Sequence, residues 1–332
     1  MLPVKRKVRV SRSAIGLVVA VVIAALLPVA KVQTDVINLL FVVFLSVTLA
    51  QSWNILGGYA GQVNLGHAAF FGIGTLVSRY LWFSGTPVYV AMLASGLMAT
   101  VFALIIGVPT FRLRGAYFAI GTLGLAETVR ITVGNILPIV TALPSDLIIS
   151  YDLNARYYTA LGLASLTALA AYFLINSRIG LGILAVREDE DAAEASGVSA
   201  LKHKLIALAV SSFFAGVAGG LFAFYHVSYY YSLPFGPNWT FDALMITYVG
   251  GVGTIIGPIV GAFFYVVVRE WLAVSVAEAH LLIFGALFVA VVLLLPGGLV
   301  EAWSKLRRLG APTRVLGTAG TPSSSSTSSG AS

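Results

Sequence analysis

The chain has 332 residues, of which 58% are hydrophobic and 10% charged, with a formal net charge of +7 and no cysteine. Soluble domains carry about 25% charged residues, so lipid replaces water over most of this surface; disulfides, thiol catalysis and cysteine metal sites are excluded. The basic residues sit in short blocks between hydrophobic runs, as the positive-inside rule describes, and not as a nucleic-acid-binding face.

Backbone polar groups find no partners in hydrocarbon, so a spanning chain is a helical bundle or a closed barrel. Barrel strands alternate in character over about 9–11 residues. Here the apolar runs Ala14–Ala30, Val36–Leu56, Val88–Val108, Tyr157–Ile175, Leu205–Tyr225 and Leu281–Leu295 are long and unalternating. The expected fold is all-α, a polytopic transmembrane bundle.

In chain order, Lys5, Arg6, Lys7, Arg9 and Arg12 mark residues 1–13 as a basic cytoplasmic N-terminus. The run Ala14–Ala30 resembles a signal peptide, but Pro28-Val29-Ala30 lacks a small first residue for cleavage. It is therefore expected as a retained first helix. Three crossings follow, Val36–Leu56, a glycine-rich one within Asn64–Phe83, and Val88–Val108, returning Arg112 and Arg114 to the cytoplasm. A helix within Ala116–Val133 leads out to the loop Gly134–Arg156. Tyr157–Ile175 returns, placing Asn176–Lys204 inside with Arg178, Arg187, Lys202 and Lys204. Leu205–Tyr225 then leads out to His226–Thr240, which has no charged side chain.

The tail residues Lys305, Arg307, Arg308 and Arg314 belong inside, so with Leu281–Leu295 as one crossing, Phe241–Leu272 makes zero or two. A span takes about 20 residues. This stretch is long for one and short for two, and Gly250-Gly251-Val252-Gly253 and Gly257-Pro258 interrupt it. A broken or re-entrant pair satisfies length and parity, giving eight crossings plus a re-entrant element, or ten with short ones. The transmembrane domain is thus expected over residues 14–300 and a cytoplasmic tail over 301–332, disordered from about residue 310 where Gly, Ala, Thr, Ser and Pro dominate.

Two segments break the rule of uniform apolarity. In Gly57–His67, Gln62, Asn64 and His67 bring donors and acceptors; in Gly250–Gly261, glycines and a proline interrupt the helix. Such interruptions occur where protein or a water-filled route satisfies the backbone, or where small residues pack helices closely. His67 has no second ligand at helical spacing, so no metal is expected. Glu127 and Arg130, three apart on one helix face, can pair, either toward the bundle interior or at the outer interface with Arg130 snorkelling. In the loop 176–204, Arg187, Glu188, Asp189, Glu190, Asp191, Ala192, Ala193 and Glu194 lead to Gly197. Acidic residues suit the start of a short helix and Gly197 its C-terminal stop. The segment is either a solvated charged loop or a helix that docks in a partner's groove.

This loop resembles the coupling loop of ABC importer permeases. Four blocks extend the likeness: Gly58–Gly74 (GYAGQVNLGHAAFFGIG), Arg112–Glu127 (RLRGAYFAIGTLGLAE), Ser177–Tyr225 around AVREDEDAAEASGV, and Gly250–Gly261 (GGVGTIIGPIVG). In order and spacing they are similar to the M-type permease subunits of branched-chain amino acid ABC importers, over roughly residues 15–300. The resemblance implies a bacterial inner-membrane subunit with both termini cytoplasmic. Its partners would be a second related permease, two ABC ATPases and an external substrate-binding protein, with ATP and Mg held by the ATPases. Consistently, this chain has no G-x-x-x-x-G-K-[ST] phosphate loop and is not expected to be an enzyme.

By position, Arg187–Gly197 would be the coupling helix. Gln62, Asn64, His67, Thr122, Glu127, Thr247, Tyr248, Gly250, Gly251 and Gly253 would line the pathway. Thr247 and Tyr248 stand where that family runs apolar, and Tyr229-Tyr230-Tyr231 enrich the preceding outer loop. The transported solute is thus open between branched-chain or other amino acids, urea or short amides, and aromatic acids. An ion-coupled secondary transporter is the alternative class, with Glu127 and Asp242 its only candidate carboxylates. An intramembrane enzyme lacks a catalytic constellation.

Overall fold

The computed structural model describes residues 20–30, 32–137, 140–149, 151–275, 283, 285–286, 289–290, 293 and 297–302. The basic N-terminus, most of Leu281–Leu295 and the tail from residue 303 lie outside these residues. Of the Ala14–Ala30 run, residues 20–26 are helical (α1). Then come α2 (Thr34–Asn54), continued by a π-helical turn (Ile55–Tyr59), α3 (His67–Phe83), α4 (Val88–Thr110) and α5 (Ala116–Ile136). Further along lie β1 (Val140–Ala142), α6 (Ser145–Ile149), α7 (Leu153–Ile175), α8 (Arg178–Glu188), α9 (Glu190–Ala195) and α10 (Ala200–Tyr225). The described chain then runs through β2 (Ser228–Tyr230), a 3-10 turn (Leu233–Phe235), α11 (Asn238–Gly250) and α12 (Gly257–Ser275).

Among the described residues five helical segments are long and apolar enough to cross a membrane: Thr34–Tyr59, Val88–Thr110, Leu153–Ile175, Ala200–Tyr225 and Gly257–Ser275. Eight to ten crossings were expected. Of the expected spans, Ala14–Ala30 lies in part and Leu281–Leu295 for the most part outside the described residues. Among those described, α3 with 17 residues, the more polar α5 and the 13 residues of α11 fall short of such a span. At 1.5 Å per residue α11 is about 20 Å long, short of a hydrocarbon core of about 30 Å. The expected break in Phe241–Leu272 is present, between Gly250 and Gly257.

The centre of the bundle is α10, which packs on α4 and α3 while these pack on each other. Its inner face is a run of small residues, Ala207, Ser211, Ala215, Gly216, Ala218, Gly219 and Gly220, all buried. Small side chains let backbones approach, and polar ones then bond across helices. Thr75 Oγ1 donates to the Gly219 carbonyl at 3.0 Å and Ser95 Oγ to the Gly216 carbonyl at 3.0 Å. On its other flank α10 meets α2, which seats α7 and the α11–α12 pair.

One element departs from an all-helical reading. The two loops at the end of the bundle remote from residues 176–204 pair through β1 and β2, antiparallel, with Val140 opposite Tyr230 and Ala142 opposite Ser228. Valine, threonine and tyrosine favour extended backbone, and the pairing satisfies backbone groups that no helix serves. Beside this ribbon three side chains cap the end of α10. Arg156 Nε donates to the Phe224 carbonyl at 2.8 Å, the Tyr151 hydroxyl to Tyr225 at 3.2 Å, and Arg79 Nη2 to His226 at 2.8 Å. Both arginines are buried, Arg79 against the Tyr229 ring and Arg156 between Tyr151 and Phe224. Cations at a helix C-terminus complement its dipole.

Candidate functional site

The two glycine-rich segments meet. The Asn54 side chain accepts from the Gly253 amide at 2.9 Å and donates to the Thr254 carbonyl at 2.9 Å. Between them the chain has no room for side chains: a β-carbon on Gly58 would lie 2.8 Å from the Gly253 nitrogen and would overlap the Asn54 carboxamide. Thr247 Oγ1, one turn before the break, donates to the Ala50 carbonyl at 3.1 Å. The loop 251–256 is therefore fastened along the last turns of α2 by side-chain hydrogen bonds.

Behind this junction lies a set of buried polar groups. Ser52 donates to the Leu49 carbonyl at 2.7 Å, so its oxygen accepts from His67 Nε2 at 2.8 Å. His67 Nδ1 has no partner, nor do either of the Gln51 amide atoms or the Tyr59 hydroxyl, all among the described residues. The Tyr59 hydroxyl lies beside Gln51 and Asn54 without completing a hydrogen bond to either.

The loop 176–204 is two helices rather than one. Ser177 Oγ caps α8 by accepting from Gly180 N at 3.1 Å. Asp189 is extended, at φ −157° and ψ 113°, and its carboxylate caps α9 by accepting from Ala192 N at 3.0 Å. Arg187 and Glu188 thus end α8, which corrects the single helix expected over Arg187–Gly197. The stop at Gly197 is as expected. Its φ is +83°, its N–H donates to the Glu194 carbonyl at 2.9 Å, and Val198 N donates to the Ala193 carbonyl at 3.0 Å, a Schellman closure. Ala193 faces inward, packed with Val186, Ala200 and Val198. Its side chain is covered by the loop itself, while Ala192, Asp191, Glu194 and Ala195 are exposed.

Three contacts tie this loop to the bundle. Lys204 Nζ, on α10 and almost fully buried, pairs with Glu190 at 2.6 Å. Arg114, just before α5, pairs with Asp191 at 3.3 Å on the surface. Arg187 reaches both glycine breaks: a β-carbon on Gly61 would stand 3.1 Å from its Cγ, and one on Gly253 2.8 Å from its Nη1. Both glycines have left-handed backbone, φ +68° and +72°, which other residues adopt at a cost.

A family model described as the branched-chain amino acid transport system permease component matches residues 35–292. The chain belongs to that family. The high-affinity branched-chain amino acid transport system permease protein LivM of Escherichia coli K12 is 29% identical over 306 residues, 81% of this chain and 71% of its own length. LivM of Salmonella typhimurium LT2 is 29% identical over 291 residues, 76% and 67% of the two chains. A probable LivM of Methanocaldococcus jannaschii matches over 96 residues at 29%, covering 29% of this chain and 28% of its own. No solved structure matches significantly.

This permease chain brings some sequence candidates together and leaves others apart. Gly250, Gly251 and Gly253 form the junction; a β-carbon on Gly250 would overlap the Gly257 carbonyl. Thr247 is buried beside it and Tyr248 is partly exposed, with its ring 6.1 Å from that of Trp53. Gln62 bonds locally to the Ala60 carbonyl at 3.3 Å, and Asn64 folds back onto Gly66 N at 2.8 Å. Thr122 accepts from Leu65 N at 3.2 Å and shares with Asn64 a cleft with room for no more than about one water. Glu127 pairs with Arg130 on a half-exposed face of α5, away from the junction. The residues missed by sequence reading are Gln51, Asn54 and Tyr59. Gln51 and Asn54 carry no local signal, because a polar residue within an apolar run becomes informative only once its distant partner is known. Tyr59 lies in the glycine-rich segment Gly57–His67, where its more polar neighbours carry the stronger signal.

Proposed function

We propose that this chain is one membrane-spanning subunit of an ATP-driven importer that moves branched-chain or related amino acids delivered by an external binding protein. Hydrolysis falls to separate ATPase subunits, a second permease completes the route, and the membrane is the bacterial cytoplasmic membrane with both termini inside. The observation that carries this reading is Arg187. It stands at the end of α8, next to the exposed acidic helix α9, and lies against both glycine breaks at once. A partner that displaces α8–α9 displaces the walls of the junction with it. Family membership and the relatives' names favour branched-chain amino acids as cargo.

The ion-coupled alternative has little to work with. Asp242 is already engaged by the Tyr265 hydroxyl and by Arg269 at 3.1 Å, and Glu127 by Arg130. The test is reconstitution in liposomes with the second permease, the ATPases and the binding protein. Uptake of labelled leucine is expected only with ATP and all components. Uptake by this chain alone, driven by a proton or sodium gradient, would overturn the proposal, and a panel with urea, acetamide and benzoate identifies the cargo class.

A further inference from the structure

We infer that Gln51 and Tyr59 are the polar contact for the transported solute, with the loop 251–256 as its cover. The inference rests on the import reading above and names residues for it.

Gln51 is completely buried in α2, and neither its amide oxygen nor its amide nitrogen has a partner among the described residues. The Tyr59 hydroxyl is buried in the same condition beside it. A buried amide or hydroxyl left unpaired is worse for the fold than an apolar side chain of similar size. Thr48, Ser52 and Asn54 in the same helix all find partners within the chain, so two groups left without one, side by side, point to a partner from outside it.

The backbone brings them together. Eight residues on, a regular α-helix would carry Tyr59 about 80° away from the face of Gln51. The π-helical turn Ile55–Tyr59 winds more slowly and takes up that rotation; such turns occur mostly at functional sites. Next to the pair, Asn54 holds Gly253 and Thr254, and Gly58 leaves space for that loop to seat. Withdrawing the loop frees the Asn54 carboxamide on the same helix end.

The chemistry fits a zwitterion. Amide and hydroxyl each donate and accept, so the pair serves a carboxylate with donors and an ammonium with acceptors. Neither carries charge. A transport contact has to be favourable enough to enter and weak enough to leave, which neutral dipoles meet.

The test uses the complete importer carrying Gln51→Leu, Tyr59→Phe or both. If the pair binds solute, thermal unfolding midpoints stay level or rise, while the KM for leucine rises by about tenfold or more, the loss of a hydrogen bond to a charged group. Wild-type leucine kinetics in both variants would overturn the inference, and so would unfolding midpoints that fall in step with uptake. A second arm separates solute from water. This chain has no cysteine, so Gln51→Cys gives it a single thiol. Leucine slows modification of that thiol by a hydrophilic maleimide if the solute binds there; an unchanged rate means that water alone occupies the site and overturns the inference. Loss of leucine uptake in the wild-type importer would count against the import reading itself; the thiol arm, with urea, acetamide and benzoate in turn as protectants, still decides the site, since protection by none of them overturns it.

Discussion

One carboxamide, that of Asn54, joins parts of the chain about 200 residues apart by binding both the Gly253 amide and the Thr254 carbonyl. Replacing it with alanine leaves both partly buried backbone groups without that partner. Asn54→Ala is expected to cost about 1–3 kcal/mol, since both backbone groups are only partly buried. Asn54→Asp is expected to cost at least as much, because a buried carboxylate would face the Thr254 carbonyl with no donor between them. Thermal unfolding in detergent, followed by circular dichroism, measures both.

The inward orientation of Ala193 separates two effects at the loop. Ala193→Glu places a carboxylate among Val186, Val198 and Ala200 and is expected to destabilise the loop by about 1–3 kcal/mol, seen as faster proteolysis near residue 190 in the chain by itself. Ala192→Glu, on the exposed side of the same helix, is expected to leave proteolysis unchanged and to weaken ATPase association in pull-down. Equal behaviour of the two variants would contradict the packing described.

The pair between Lys204 and Glu190 is asymmetric, with the lysine side chain 2% exposed and the carboxylate 24%. Glu190→Gln leaves a buried ammonium unpaired and is expected to cost about 3 kcal/mol, whereas Lys204→Met removes the buried charge and costs less. The double variant should therefore be more stable than Glu190→Gln alone. A double-mutant cycle on unfolding midpoints gives the sign directly.

At the far end of α10, burial and then the Arg79 charge hold the His226 imidazole down to about 4. The unfolded chain titrates this group near 6.5. Between those values the folded form binds fewer protons, so the contribution to stability is complete above about pH 6.5 and is lost progressively as pH falls toward about 4. His226→Gln is expected to flatten the unfolding midpoint against pH across that window.

Much of this architecture is legible in the sequence. The runs Val36–Leu56, Val88–Val108, Tyr157–Ile175 and Leu205–Tyr225 all lie within helices, because an all-apolar stretch of that length has few other stable forms in lipid. Gly197 is legible as a helix stop for a local reason, its left-handed φ of +83°. What the sequence withholds is long-range. Nothing around Asn54 announces Gly253, and nothing around Val140 announces Tyr230. Gln62, Asn64 and His67 attracted attention as polar residues beside glycines, yet Gln62 and Asn64 bond within their own turn while Gln51, inside an apolar run, stays unpaired.

The hydrogen bonds from Asn54 to Gly253 and Thr254 also bear on how the chain is made. Translation adds about 5–20 residues each second, so Asn54 emerges about 10–40 s before its partners exist. Ala68, whose amide bonds to Thr240 Oγ1 172 residues later, waits nearly as long. During that interval the end of α2 carries the Asn54 carboxamide into the membrane before its partners are synthesised. The nascent protein therefore needs shelter at α2 until α11 and α12 arrive, and truncation before residue 250 should leave a fragment that membrane quality control recognises.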